Sequence, residues 1–151
     1  ETAPDFVVLE GVFNKARYDS FLLRNEPYIG ICPPGHPLDG QTVSPEALLG
    51  QRLILREEGS GTRDLLERSL AQCGYTVGAF SGTVCVSSFK IIRELVCAGY
   101  GISFVYAAVA ADLPAPGRFF CPPLTGSHEL NAVWLKGTDA GALARAFAAG
   151  L

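Results

Sequence analysis

Ser60, Gly61 and Thr62, in the run Glu57-Glu58-Gly59-Ser60-Gly61-Thr62-Arg63-Asp64, are the residues of this chain whose types and spacing could do chemistry. Glycines let backbone N–H groups approach a ligand closely, hydroxyls add donors, and the positive end of a helix favours an anion. The chemistry is that of a cradle for a small carboxylate or other oxyanion, not of a catalyst. Ser87-Ser88 offers a second set of hydroxyls, and Glu10 an acid at the end of an apolar run. Each also has a plain reading: serine and threonine cap helices and close turns, and an acid at a strand end is often only solvated.

These residues must be positioned by elements that the pattern supplies. Leu53-Ile54-Leu55 is a short apolar run of strand length leading into the turn. After Thr62, Leu65, Leu66, Leu70 and Cys73 share one helical stripe, with Arg63, Glu67, Arg68 and Gln72 largely away from it, and Gly74 suits the C-terminal turn. Phe80 to Val86 reads as a strand interrupted by Gly82. Ser87-Ser88 then caps a helix with Phe89, Ile92, Leu95 and Val96 on one face, closed by Gly99, before a buried strand at Ile102–Val105. Strands alternating with helices imply a parallel sheet with right-handed crossovers. In such a sheet ligands collect outside the carboxyl ends of the strands, so both strand-to-helix junctions should face one side.

The flanks differ. Phe6–Leu9 has the continuous apolar character of a buried parallel strand, and Phe21–Ile31 reads as extended with Pro27 interrupting it. Ser44-Pro45-Glu46 starts a short helix. Strands are expected near Phe119–Cys121 and Leu130–Leu135, and Asp139 caps a last alanine-rich helix. A central α/β lobe over residues 28–105 and a partial first lobe from residues 1–27 and 106–151 follow.

Composition narrows the function classes. The chain has 151 residues, 48% hydrophobic and 18% charged, with net charge −3, a pI near 5.3 and mean hydropathy +0.25. It can bury a core, and no apolar run is long enough to span a membrane. Its acidity argues against a nucleic-acid surface, which needs clustered Lys and Arg. The five cysteines (32, 73, 85, 97 and 121) contain no Cys-x-x-Cys pair. They read as small hydrophobes, with Cys73, Cys85 and Cys97 on apolar faces, and reduced thiols fit a cytoplasmic protein. His36 sits in a turn and reads as structural, and His128 precedes a strand; two histidines so far apart make no metal site. The Gly59-Ser60-Gly61 triplet lacks the spacing of a nucleophile elbow, and no phosphate-loop Gly-Lys-Ser/Thr follows. Neither an enzyme nor a bound cofactor is expected.

Four segments in order carry a resemblance: Asp5-Phe6-Val7-Val8-Leu9-Glu10-Gly11; Gly35-His36-Pro37-Leu38; Leu53-Ile54-Leu55-Arg56 leading to Gly61-Thr62-Arg63; and Glu94-Leu95-Val96-Cys97-Ala98-Gly99-Tyr100-Gly101-Ile102. Together they resemble the effector-binding domain of LysR-type transcriptional regulators over nearly the whole chain. The resemblance implies a periplasmic-binding-protein-like (type 2) fold of two Rossmann-like lobes. Two crossing strands, at Asn25–Gly30 and Phe104–Ala107, would join the lobes, and a small-molecule effector would bind in the cleft between them. It implies effector contacts from the Ser60–Thr62 turn and, in the first lobe, from Glu10, with Arg63 or a ligand amine needed to balance that acid. The domain's opening strands and helices and the winged helix-turn-helix are expected to be missing, so DNA binding would need a segment outside this chain. An incomplete lobe would leave an apolar sheet edge that a second copy could cover as a homodimer. A solute-binding protein of a transport system is the alternative with the same fold.

Overall fold

The computed structural model describes all residues except 1–5, 11–15, 139, 150 and 151, and the side chains of 9, 10, 24, 128–130 and 148 are likewise not described. The cap expected at Asp139 and the exposure expected of His128 therefore lie outside the described residues. The chain divides into two compact units, Glu1–Glu26 with Ser127–Leu151, and Pro27–Gly126.

The larger unit is built on alternation. Strand β3 (Arg52–Leu55) pairs in parallel with β4 (Gly82–Cys85), with Leu55 opposite Cys85. Ile102 bridges Leu53 in parallel on the other side of β3. The chain then continues as β5 (Ser103–Tyr106), antiparallel to the second half of β2 (Tyr18–Cys32), with Tyr28 opposite Tyr106. Strand β6 (Gly117–Phe119) pairs with β2 along the segment Gly30–Cys32. Parallel pairing thus holds where helices connect the strands, and antiparallel pairing joins β2 to β5 and β6. Pro27 does not interrupt β2. It is exposed and precedes the first residue paired with β5, where a missing N–H removes no ladder bond of that pair.

Because side chains alternate across a strand, each strand feeds two cores. Leu53 and Leu55 pack with Tyr28, Leu48, Phe104 and Phe119 and with Leu66 and Leu70 of α1 (Gly61–Gln72). Ile54 goes to the opposite face, with Ile29, Ile31 and Val105, against Ile92 and Val96 of α2 (Phe89–Cys97). Phe119 and Cys121 are fully buried, and Leu124 nearly so, in the first of these clusters. Residues 106–126, expected with the flanks, therefore belong to this unit, including the short helix α3 (Ala107–Ala110). Ser44-Pro45 opens only a 3₁₀ turn, Pro45–Leu48.

In the smaller unit β1 (Val7–Glu10) is antiparallel to β7 (Gly126–Leu135), with Val7 opposite Val133 and Glu10 opposite Leu130. The strand order runs β1, β7, β2. The expectation of a buried parallel strand at Phe6–Leu9 is thus corrected: β1 is an antiparallel end strand, and Val7 and Val8 are exposed. An apolar run shorter than five residues does not distinguish a buried strand from one lying at an edge. Trp134, Ala140 and Ala144 form the core, where α4 (Ala140–Ala149) turns its alanines onto the sheet.

Candidate functional site

The carboxyl end of β3 leads directly into the Ser60–Thr62 turn. Ser60 N–H donates to the Glu57 carbonyl (3.2 Å). Gly59 adopts φ +92°, a conformation that L side chains rarely take, and this closes the loop before α1. Ser60 stands at the N-cap in an extended conformation, but its side chain does not cap the helix. Instead its hydroxyl lies 3.1 Å from that of Thr62. The first backbone bond of α1 runs from Asp64 N–H to the Ser60 carbonyl (3.0 Å), so the amides of Gly61, Thr62 and Arg63 precede the hydrogen-bonded ladder. Thr62 is buried, and Tyr28 Oη donates to its carbonyl from β2 (3.3 Å).

The second junction is built differently. Val86 N–H donates to the Leu55 carbonyl (2.9 Å), extending the β3–β4 pairing to the threshold of the turn. Ser88 accepts from Ile91 N–H (3.4 Å) and caps α2, while Ser87 is exposed on the bend before it. Parallel pairing places both junctions at one end of the sheet. One helix there is capped by its own serine; at the start of the other the Ser60 hydroxyl meets that of Thr62 and caps no amide.

Two arginines join the junctions, and sequence reading misplaced one and overlooked the other. Arg63, expected away from the apolar stripe, is buried. Its guanidinium donates to the Arg56 carbonyl (3.1 Å), to Cys85 Sγ (3.3 Å) and to Glu67 Oε1 (3.2 Å). Burial alone would lower its pKa, but the bonds to Glu67 and Cys85 outweigh this and raise it. Arg63 is thus a staple between the β3–α1 turn and the end of β4, with its charge already used. Cys85 also differs from expectation: the thiol is exposed at the strand end, and the fully buried cysteines are Cys32 and Cys121.

Arg56 is the overlooked residue. Its guanidinium lies 4.6 Å from the centroid of the Phe89 ring, across the first residue of α2. Its Nε donates to Glu57 Oε1 (2.8 Å), and this bond holds the Glu57 carboxyl below its ordinary range. Arg56, Thr62, Tyr28, Phe89, Ser103 and Phe104 line one small cavity of about 10 Å³, room for a single water-sized molecule. The signal for Arg56 was its place immediately after a strand, where open sheets gather ligand contacts.

The remaining expected contact, Glu10, closes β1 in the smaller unit, opposite Leu130. The structure therefore brings Ser60, Gly61 and Thr62 together with Ser87 and Ser88 at one sheet end, while Glu10 belongs to the other unit. Among the described residues no group of three His, Cys, Asp or Glu side chains could hold a metal ion. No helix among them is long and apolar enough to cross a membrane.

Residues 2–151 match the model of the LysR substrate binding domain. Among similar proteins, an HTH-type transcriptional regulator CbbR of Xanthobacter flavus is 33% identical over 99 residues, 64% of this chain and 29% of that protein. A further HTH-type transcriptional regulator, MJ0300 of Methanocaldococcus jannaschii, is 30% identical over 106 residues, 70% of this chain and 34% of that protein. The matched part thus spans about a third of the length of these relatives. Among solved structures, the regulatory domain of CcmR from Synechocystis PCC6803 in complex with 2-PG superposes with TM-score 0.79 at 18% identity. The superposition covers 95% of this chain and 69% of that one. The effector binding domain of QuiR in complex with shikimate gives TM-score 0.70 at 18% identity, covering 95% and 69%. Both show the same fold.

Proposed function

The chain belongs to the LysR substrate-binding domain family, and from that premise we propose that it is the effector-sensing part of a transcription regulator whose ligand is a small anion. The reading places the anion at the N-terminal end of α1, contacted by the Ser60 and Thr62 hydroxyls and the Gly61 and Thr62 amides. Ser87 contributes from the second junction, and Ser88 keeps its capping role. The observation that carries the proposal is the uncapped start of α1 beside a capped α2. A serine at the N-cap that leaves the first amides unserved preserves the donors and the positive helix end for a ligand.

Two solved domains of this fold hold small molecules, 2-PG and shikimate, which supports a ligand of that size. In a whole regulator, binding would shift the balance between conformations and so the placement of DNA-binding segments. The similar proteins are named as transcriptional regulators, which favours this over solute transport. Calorimetric titration with a panel of small organic acids, including shikimate and 2-PG, tests it. Thr62→Val preserves volume and removes one hydroxyl donor; it should weaken the ligand that binds by about ten- to a hundredfold. Unchanged affinity would remove this turn from the ligand site.

A further inference from the structure

The reading above gives Arg56 no task, although it is the charged group best placed to have one. Arg63 is consumed by the Arg56 carbonyl, Cys85 and Glu67. Arg56 instead stands at the carboxyl end of β3, shares a cavity with Thr62, and lies across Phe89 at the start of α2. Its partner is the adjacent Glu57, both of whose carboxylate oxygens it meets, Nε to Oε1 at 2.8 Å and Nη2 to Oε2 at 3.5 Å. The Glu57 side chain is half exposed.

We infer that Arg56 is the ligand-contacting cation of this site, and that Glu57 occupies its fork in place of the ligand's own oxygens until an oxyanion displaces it. The inference rests on the anion reading of α1. A guanidinium fork matches two in-plane oxygens of a carboxylate or phosphate, and the Phe89 ring holds its plane. An exposed ion pair between chain neighbours is weak, so exchanging Glu57 for a ligand oxygen costs little. The cavity of about 10 Å³ is too small for an anion, which must sit at its mouth against Ser60 and Thr62 with Arg56 turned from Glu57 onto it. The ligand class is then an oxyanion with two coplanar oxygens, preferred over a monatomic anion.

Nitrogen-15 NMR titration of this chain with inorganic phosphate, at ionic strength held constant with chloride, tests the exchange. The Gly61 and Thr62 amides and the Arg56 Nε–H should shift together with one Kd. Glu57→Gln should tighten phosphate about two- to fivefold by removing the competitor. Arg56→Gln should weaken it about tenfold or more, with Arg56→Lys between, because lysine keeps the charge and loses the fork. Dispersed spectra of Glu57→Gln and Arg56→Lys certify the fold if Arg56→Gln is unstable. Binding at the α1 amides that neither Glu57→Gln nor Arg56→Lys alters would overturn the inference and leave the α1 reading standing. No phosphate shift at those amides in either the native chain or Glu57→Gln would overturn both.

Discussion

Replacing Ser88 and Ser60 separately by alanine should separate a serine that holds the fold from one that waits for a ligand. Ser88 accepts from Ile91 N–H at 3.4 Å and is the side-chain cap of α2. Loss of an N-cap costs about 0.5–2 kcal/mol, and this bond is longer than the usual 2.7–3.2 Å, so the lower half, about 0.5–1 kcal/mol, applies. For a chain of this size that is about 1–4 °C in Tm. Ser60 makes no cap bond, and among the described residues its hydroxyl meets only that of Thr62. Its removal should change Tm by less than about 1 °C, because no helix donor loses a partner. Circular dichroism melts should therefore rank Ser88→Ala below Ser60→Ala. Hydrogen exchange at the Ile91 amide should accelerate in Ser88→Ala alone. Trp134 lies in the smaller unit, so its fluorescence transition serves as the internal control. Equal destabilisation by the two substitutions, or an unchanged Ile91 amide in Ser88→Ala, would refute the assignment of the two junctions to different tasks.

Other outcomes follow from single observations. Burial pushes the Cys32 and Cys121 thiols up to about 11, from an ordinary 9.0. Folding then favours their protonated forms, so their contribution to stability is whole below pH 9 and is lost between pH 9 and 11. Cys32→Ala should flatten that alkaline decline in melts run across the range. Gly30→Ala would set a Cβ 2.3 Å from the fully buried Phe119 ring and should cost about 1–3 kcal/mol, or about 2–12 °C in Tm; a melt within a degree of the native chain would mean that β6 yields easily. Val7 and Val8 are exposed on β1, the end strand of its sheet, so the chain should self-associate as a dimer at micromolar concentration. A monomer in light scattering would show that the edge needs no cover.

What the sequence determined by itself is what short-range chemistry decides. The stripe Leu66–Leu70 and the face Phe89–Ile92–Val96 could be read because helical period and apolar character travel together along the chain. The turn at Gly59 and the junction at Ser88 could be read because few residue types satisfy such backbones. The family was legible for the same reason: its motifs are loops and caps spaced by elements of fixed length. Only the tertiary structure decided what each polar side chain does once the elements meet. Arg63 looked solvated on its helix, yet Cys85 and the Arg56 carbonyl, which pairing brings alongside, bury it. Ser60 and Ser88 look alike in sequence, yet only Ser88 has its donor within reach. Pro27 reads as a break until the register shows that its missing N–H falls before the segment paired with β5. Local pattern fixes where a side chain starts, but partners distant in sequence set its hydrogen bonds and burial, and no period along the chain encodes them.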